Sequence, residues 1–371
     1  MLAAGGTGGH LFPAFALAEE LGRRGFAVDL VTDMRGDRYG TGFPARKTYQ
    51  IPSATLGGRN PVAAAKTAVT LAMGVRAAMK IFAEVKPGAV VGFGGYPSFP
   101  PLIAASLKRI PSALHEQNAV LGRANRMLAK RVTAIATSFQ TVKLLEGAAA
   151  AKARFTGNPV RGAVIDWAAR PYRPAGPDDR FNLLVFGGSQ GARFFSEIMP
   201  KALALLPVPL RARLRVTQQC RPEDLVAVTA AFVPPLAGHP SDNGIEAVVA
   251  PFFTNLPEIM AASQLVIGRA GASSVAELAV MGRPSILVPL PHALDNDQLN
   301  NARQLAESGA SWCIEQKDLS PERLAAELQR LMTDPDALLT AAIAAKAQGR
   351  PDAALRLADL VESLIAVGSH A

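Results

Sequence analysis

Cysteine is nearly missing from this sequence. Cys220 and Cys313 are the two in 371 residues, too few for a disulfide framework, so a reducing compartment is expected. Long hydrophobic runs are missing too. Apolar residues make up 49% of the chain, yet glycines, prolines or charges break every run before the roughly 18 residues that a membrane span needs. No basic segment followed by an apolar one opens the chain, which points to a cytosolic protein rather than an exported one. Aromatic residues are scarce, at 6%, and none are interleaved with a basic stretch as single-strand nucleic-acid binding would require. What remains is a soluble or surface-bound α/β protein long enough for two domains, each with its own core.

Acidic residues are scarce in one half only. Residues 1–162 hold 21 Lys and Arg against 8 Asp and Glu, a surplus of 13 positive charges, whereas residues 163–371 hold 18 against 22. A basic half joined to a mildly acidic half predicts an anionic partner for the first alone. With nucleic acid disfavoured, an anionic membrane surface is the better candidate. The stretch Val62 to Val85 carries the same message. At 100° per residue it puts Leu71, Val75, Ala78 and Phe82 on one helical face and Lys66, Arg76 and Lys80 on the opposite one, together with Val69 and Met73. Apolar side chains among outward cations suit anionic headgroups; a plain solvated helix is the alternative.

Glycine is plentiful where strands end. Gly5-Gly6-Thr7-Gly8-Gly9-His10 follows an apolar start and precedes an amphipathic run from Leu11 to Leu21, the pattern of a strand, a turn and a helix start. Such a turn lets a ligand approach the backbone near unpaired N–H groups and the positive end of the helix. His10 stands at its lip, where an imidazole can take a proton from a hydroxyl. A second glycine turn, Gly92 to Tyr96, follows the apolar stretch Gly88 to Val91. Pro111 to Leu114 then leads into His115-Glu116-Gln117-Asn118, four polar side chains at a strand's C-terminal edge, where open α/β sheets bind ligands.

The same grammar restarts after the Pro-rich segment Ala168 to Arg180. Phe181 to Phe186 is a strand and Gly187-Gly188-Ser189-Gln190-Gly191-Ala192 its turn, and further strands are expected at 214–216, 247–249, 265–267 and 285–288. Arg269 to Glu277 is a small-residue turn entering a helix, with Ser hydroxyls able to cap it. Two Rossmann-like units facing across a cleft are predicted: residues 1–165, a linker at 166–180, residues 181–348, and a C-terminal helix at 349–371 packing back towards the first unit.

These motifs together, GGTGGH, GFGGY, HEQN, GNPVR (Gly157 to Arg161), GGSQGA and RAGASSVAE, are weak singly and specific in this order. The chain resembles the MurG family of peptidoglycan synthesis, GT-B glycosyltransferases that move N-acetylglucosamine from UDP-GlcNAc to lipid I, undecaprenyl-pyrophosphoryl-MurNAc-pentapeptide, giving lipid II. The resemblance spans nearly the whole chain. It implies donor contacts at Thr7, Gly8, Gly9, Asn118, Arg161, Ser189, Phe253, Ala272, Ser273, Ser274, Val275, Ala276, Glu277 and Gln298. Of these, the Ser189 turn would face the diphosphate, Phe253 the uracil, Glu277 the ribose and Gln298 the sugar. Phe253 departs from the aliphatic residue expected there, and the loop Pro291 to Gln298 is one residue longer than expected. The implied mechanism is inverting displacement by the muramyl C4 hydroxyl, with His10 as first candidate for the base and Glu116 as second. Asp295-Asn296-Asp297 spells the DxD of metal-dependent transferases, but GT-B enzymes generally hold the diphosphate without metal, so neither metal nor other cofactor is expected. The implied location is peripheral, on the cytoplasmic face of the inner membrane, with anionic lipid and other cell-wall synthesis proteins as partners and no nucleic acid.

Three rivals stand beside this reading. A dinucleotide oxidoreductase would need GxGxxG spacing and an acid about 20 residues on, which neither glycine turn supplies. A UDP-sugar epimerase or another UDP-sugar GT-B transferase would share the donor motifs and differ in acceptor. A membrane-surface scaffold would account for the basic half and leave the polar edge at 115–118 without a purpose.

Overall fold

Apolar strands alternating with helical stretches have one short-connection solution, parallel strands with crossover helices on both faces. The computed structural model has this architecture twice, and it describes residues 1–5, 8–33, 42–55, 61–188, 191–232, 245–291 and 293–368. Contacts divide the chain into one unit of residues 1–162 with 350–371 and another of residues 163–349. In the first unit β1 (Leu2–Ala3), β2 (Asp29–Thr32), β3 (Lys47–Gln50), β4 (Val90–Gly92), β5 (Ser112–Glu116), β6 (Ala134–Thr137) and β7 (Ala153–Phe155) form a parallel sheet in the order 3-2-1-4-5-6-7. In the second, β8 (Phe181–Phe186), β9 (Leu214–Gln219), β10 (Glu246–Ala250), β11 (Leu265–Gly268), β12 (Ser285–Leu287) and β13 (Ser311–Cys313) are ordered 10-9-8-11-12-13.

Both orders reverse direction at the first strand of the unit. Leu2 is in register with Leu30 on one side and Val91 on the other, and Leu183 with Val216 and Leu265. Loops leaving the C-terminal ends of β1 and β4, and of β8 and β11, therefore run to opposite faces of their sheet. This is the position where doubly wound sheets take ligands. All four expected glycine or small-residue turns lie at these switch points.

The sheets are apolar through their middle strands because both faces are covered. In the first unit, Leu11, Ala14 and Leu17 of the helix Gly8–Arg23 pack with Leu2, Leu30 and Val91 on one face, joined by Leu357, Ala358, Val361 and Leu364 of the helix Ala353–Gly368. The C-terminal segment is thus part of the first unit's core. Arg24 adds ion pairs to Asp359 at 2.7 Å and Glu362 at 2.9 Å. The long helix Pro61–Val85 buries Leu71, Ala78 and Phe82 and leaves Lys66, Arg76, Lys80, Val69 and Met73 exposed, the two faces that its periodicity predicts. Residues 163–180 lie with the second unit. The Tyr172 hydroxyl donates to the Gln264 carbonyl at 2.9 Å, the Lys346 ammonium to that of Ala168 at 2.9 Å, and the buried Arg283 guanidinium to that of Arg170 at 3.2 Å.

Three strands escaped the sequence reading. β3, Lys-Thr-Tyr-Gln, is an exposed edge strand with no apolar alternation; β7 and β13 are each three residues long. The expected serine cap is also corrected. The helix Ala272–Met281 has Gly271 at its N-cap with no side-chain cap bond, and Ser273 and Ser274 stand inside its first turn.

The two kinds of contact made by the C-terminal helix differ in what they contribute. Leu357 is fully buried, so Leu357→Ala should lower stability by about 2–5 kcal/mol through lost transfer energy and a residual cavity. Asp359 is 69% exposed, and Asp359→Ala should cost under about 1 kcal/mol. Urea unfolding of both variants checks the contrast, and equal losses would mean that the ion pairs, not the apolar face, seat this helix.

Candidate active site

In a strand, side chains alternate between the faces of the sheet, so in His115-Glu116-Gln117 the outer two share a face and the middle one opposes them. All three are buried, at 0%, 1% and 2% exposure, and burial of such polar groups demands partners. The His115 Nε2 lies 3.0 Å from the Gly157 carbonyl, which can only accept, so Nε2 carries the hydrogen. Its Nδ1 is then a lone pair, and it accepts from the Gln117 Nε2 at 3.1 Å. The second amide hydrogen of Gln117 goes to the Phe93 carbonyl at 2.9 Å. The amide oxygen of Gln117 faces His10 Nδ1 at 3.3 Å. Imidazole, amide and imidazole thus form one chain across the ends of β1, β4 and β5.

Burial sets the charge of both rings. The His115 pKa is lowered from 6.5 to about 4, first by burial and then by the nearby His10, against the Gly157 hydrogen bond. The half-buried His10 is also lowered from 6.5 by burial, with the Gln117 and Phe93 hydrogen bonds opposing. Both are neutral imidazoles at neutral pH. The second glycine turn is shaped around His10: Gly94 and Gly95 have φ of 81° and 67°, and a Cβ on Gly95 would stand 3.3 Å from His10 Nε2. Ser98 pins this turn to β1, its hydroxyl lying 2.8 Å from each of the carbonyls of Ala3 and Gly94 and sharing its one hydrogen between them.

Glu116, expected as the alternative base, occupies the other face with both oxygens taken. One oxygen accepts from the Asn118 backbone at 2.9 Å and its side chain at 3.3 Å. The other accepts from the Gly122 N–H at 2.9 Å and Asn125 Nδ2 at 2.8 Å. Burial raises its pKa, and these four donors oppose that by favouring the ionised form. It is an acceptor saturated by its own loop, with no lone pair directed at a substrate, and its work is to hold the turn 117–122. Asn118 is half-buried beside it. Arg161 lies over the Phe12 ring at 4.8 Å, one and a half turns into the helix that Gly8 and Gly9 begin. Thr7 lies outside the described residues. The buried Asn158 side chain has no hydrogen-bond partner among the described residues, and neither its role nor the bridging role of Gln117 was visible in the motifs.

The second unit presents backbone rather than side chains. Gly187 has no room for a Cβ, which would meet the Ala192 nitrogen at 2.3 Å, so the turn after β8 closes tightly on itself. Ser189 and Gln190 lie outside the described residues. The helices that follow β8 and β11, Arg193–Ala204 and Ala272–Met281, both start without a side-chain cap. Their positive dipole ends therefore sit at the same sheet edge, an arrangement suited to an anion. Gln219 accepts from the Gly187 N–H at 3.2 Å and donates to the Pro251 carbonyl at 3.1 Å, which brings the loop bearing Phe253 alongside. Asn301 Nδ2 reaches the Ala270 carbonyl at 3.1 Å. Gln298, one turn earlier in the helix Asp297–Glu307, accepts from the Leu290 N–H at 3.0 Å. Residues 272–277 form the first turns of their helix, with Val275 and Glu277 buried. Asp295 and Asn296 form a left-handed turn before Asp297.

Comparison with known proteins follows this geometry. Residues 1–137 match the model of the glycosyltransferase family 28 N-terminal domain, and residues 182–357 that of the family 28 C-terminal domain. A Rhizobium johnstonii protein named UDP-N-acetylglucosamine–N-acetylmuramyl-(pentapeptide) pyrophosphoryl-undecaprenol N-acetylglucosamine transferase is 53% identical over 99% of this chain and 95% of its own. The crystal structure of Acinetobacter baumannii MurG superposes with a TM-score of 0.77 at 29% identity over 98% of both chains. A Neisseria meningitidis UDP-GlcNAc 2-epimerase shares the fold at 10% identity, with a TM-score of 0.66 over 98% of this chain and 99% of its own.

The neutral His115 makes stability depend on pH. Between 6.5 and about 4 the unfolded chain takes up a proton that the folded chain refuses, so stability is lost as pH falls through this window. The loss attributable to His115 approaches about 3 kcal/mol. In His115→Gln that share should vanish, and urea titrations of both proteins at pH 7 and pH 5 measure it. Parallel losses would place the pH dependence elsewhere.

Proposed function

The chain belongs to the MurG family within glycosyltransferase family 28, and from that premise we propose that it transfers N-acetylglucosamine from UDP-GlcNAc to the muramyl C4 hydroxyl of lipid I, giving lipid II and UDP. The observations that carry the mechanism are, on the first unit, a neutral imidazole whose Nδ1 faces the Gln117 amide oxygen and, on the second unit by itself, two helix starts without side-chain caps. The acceptor oxygen attacks the anomeric carbon as the bond to the UDP oxygen breaks, and the configuration inverts. His10 Nε2 takes the hydroxyl proton. The leaving diphosphate gains its charge at the helix starts after β8 and β11, whose dipoles are already oriented. Glu277, early in its helix, fits the ribose, the loop of Phe253 the uracil, and Gln298 the sugar. Arg161, Asn118, Gly8 and Gly9 support the donor from the first unit. Glu116 acts only through the loop it holds.

No described helix is long and apolar enough to cross a membrane. The exposed Val69 and Met73 among Lys66, Arg76 and Lys80 support a peripheral site on the anionic cytoplasmic surface of the inner membrane, where the lipid-linked acceptor would be met. An epimerase would need no acceptor. Purified protein with UDP-GlcNAc and lipid I should form lipid II, and with UDP-GlcNAc alone it should leave the sugar nucleotide unchanged; interconversion without acceptor would favour the epimerase reading.

In this assay His10→Ala should lower kcat about 100- to 10,000-fold with little change in UDP affinity. Because His10 titrates below its ordinary value, the acid limb of the wild-type profile should lie below pH 6.5. A variant that keeps its kcat and its acid limb would remove His10 from the chemistry.

Neutralising Lys66, Arg76 and Lys80 together should release the protein from anionic vesicles, each charge near the surface being worth on the order of 1 kcal/mol. Cosedimentation at fixed ionic strength measures this, and unchanged binding would make the helix Pro61–Val85 an ordinary solvated one.

A further inference from the structure

We propose that Gln117 is a positioning residue for the transfer step, fixing His10 as the Nδ1–H tautomer so that its Nε2 lone pair is the one presented to the acceptor hydroxyl. The proposal rests on the reading of His10 as the base. An imidazole can serve as a base through either nitrogen, and a histidine side chain left to itself in water favours the proton on Nε2, the atom that must be bare here.

The direction of every bond in the chain follows from its far end. The Gly157 carbonyl cannot donate, so His115 Nε2 donates to it over 3.0 Å. His115 Nδ1 must then accept, and the amide nitrogen of Gln117 supplies that hydrogen over 3.1 Å while giving its other one to the Phe93 carbonyl over 2.9 Å. With both hydrogens committed, the amide cannot flip without setting its oxygen against a lone pair and a carbonyl. The oxygen is therefore locked towards His10 Nδ1 at 3.3 Å. An amide oxygen only accepts, and so Nδ1 carries the hydrogen. The selection starts at the backbone of residue 157 and reaches residue 10 through two buried side chains, His115 in β5 and Gln117 just beyond its end.

Gly95 completes the arrangement. Its φ of 67° and missing Cβ, which would otherwise stand 3.3 Å from Nε2, keep a side chain at residue 95 from crowding that nitrogen. When the hydroxyl proton arrives on Nε2, the Nδ1–H bond to Gln117 strengthens and the cation is held in place. His115 stays neutral throughout and neither gives nor takes a proton; it keeps the amide from turning.

The protein's five histidines allow a direct test by long-range 15N–1H correlation on the full chain labelled in histidine, the His10 signals being assigned by their loss in His10→Ala. The wild type should show a protonated Nδ1 and a bare Nε2 at His10. Gln117→Met, which keeps the length of the side chain and removes the acceptor, should shift His10 towards the Nε2–H form. It should also lower kcat roughly ten- to a hundredfold, with the KM for UDP-GlcNAc unchanged. Gln117→Glu, which restores an oxygen opposite Nδ1, should restore the tautomer. An Nε2–H form in the wild type, an unmoved tautomer in Gln117→Met, or a moved tautomer with normal kcat would each overturn the proposal. The wild-type measurement does so even if the variants fail to fold. A normal kcat in His10→Ala overturns the base itself instead, and the tautomer spectra are unaffected by that result.

Discussion

Everything at the candidate site depends on how a parallel sheet must be connected. Each strand returns through a crossover on one face, and right-handed crossovers put successive strands on the same side until the chain changes direction. In both units the change comes at the first strand, between β1 and β4 and between β8 and β11. There the loops diverge, and the backbone polar groups at the strand ends have no neighbour loop to cover them. Glycine-rich turns at those four points are consequences of the same constraint, because only small residues allow the chain to leave a strand, turn tightly and start a helix within a few positions. The two units use the opening differently. The first fills it with an imidazole; the second leaves backbone and helix ends at its rim.

Placing polar side chains there has a cost that the hydrogen-bond pattern must offset. His115, Glu116 and Gln117 sit almost fully buried in or beside β5, where an unmet donor or acceptor would cost about 1–3 kcal/mol each. The strand's alternation separates them into two networks. On one face His115 and Gln117 consume Gly157 and Phe93; on the other Glu116 consumes the donors of residues 118, 122 and 125. The neutral rings and the Glu116 carboxyl are compatible so close together because they never share a hydrogen bond. The separation also distinguishes the two candidate bases, for the carboxyl accepts four hydrogen bonds from its own loop while the imidazole of His10 faces an amide oxygen.

The sequence made the fold class and the location of the site legible, since both rest on local signals. Apolar strands, glycine turns and the polar run at 115–118 can be read within ten residues, and the amphipathic helix at 61–85 within its own period. What it hid is long-range. His10 and Gln117 are 107 positions apart and Gln117 and Phe93 24, so no spacing rule connects them. The saturation of Glu116 is hidden for another reason: two of its four donors are backbone N–H groups, which every residue but proline carries. The short strands β7 and β13 and the edge strand β3 bury too little alternating surface to leave a period-2 pattern. Serines at the start of the helix Ala272–Met281 suggested a cap, but the N-cap falls two residues before Ser273, at Gly271.

Charge distribution sharpens the division of labour between the units. The reading places a dianionic diphosphate on the half of the chain with a slight excess of acidic residues, and the surplus of 13 positive charges on the other. Net charge therefore cannot be what holds the donor. The cations that the second unit does bury are committed elsewhere: Arg283 donates to the carbonyls of Met260, Ala261 and Arg170, and Arg269 to those of Val288 and Pro289 and to Gln316. Under the proposed reading, the groups left to meet the phosphates include the two helix starts without side-chain caps. Preoriented dipoles need no rearrangement as charge develops on the leaving group, and they let go of a diphosphate more readily than a cluster of guanidinium groups would. The positive surplus is spread over the first half of the chain, and three of its cations, Lys66, Arg76 and Lys80, stand on the exposed face of the helix Pro61–Val85, a pattern that suits a surface rather than a single molecule.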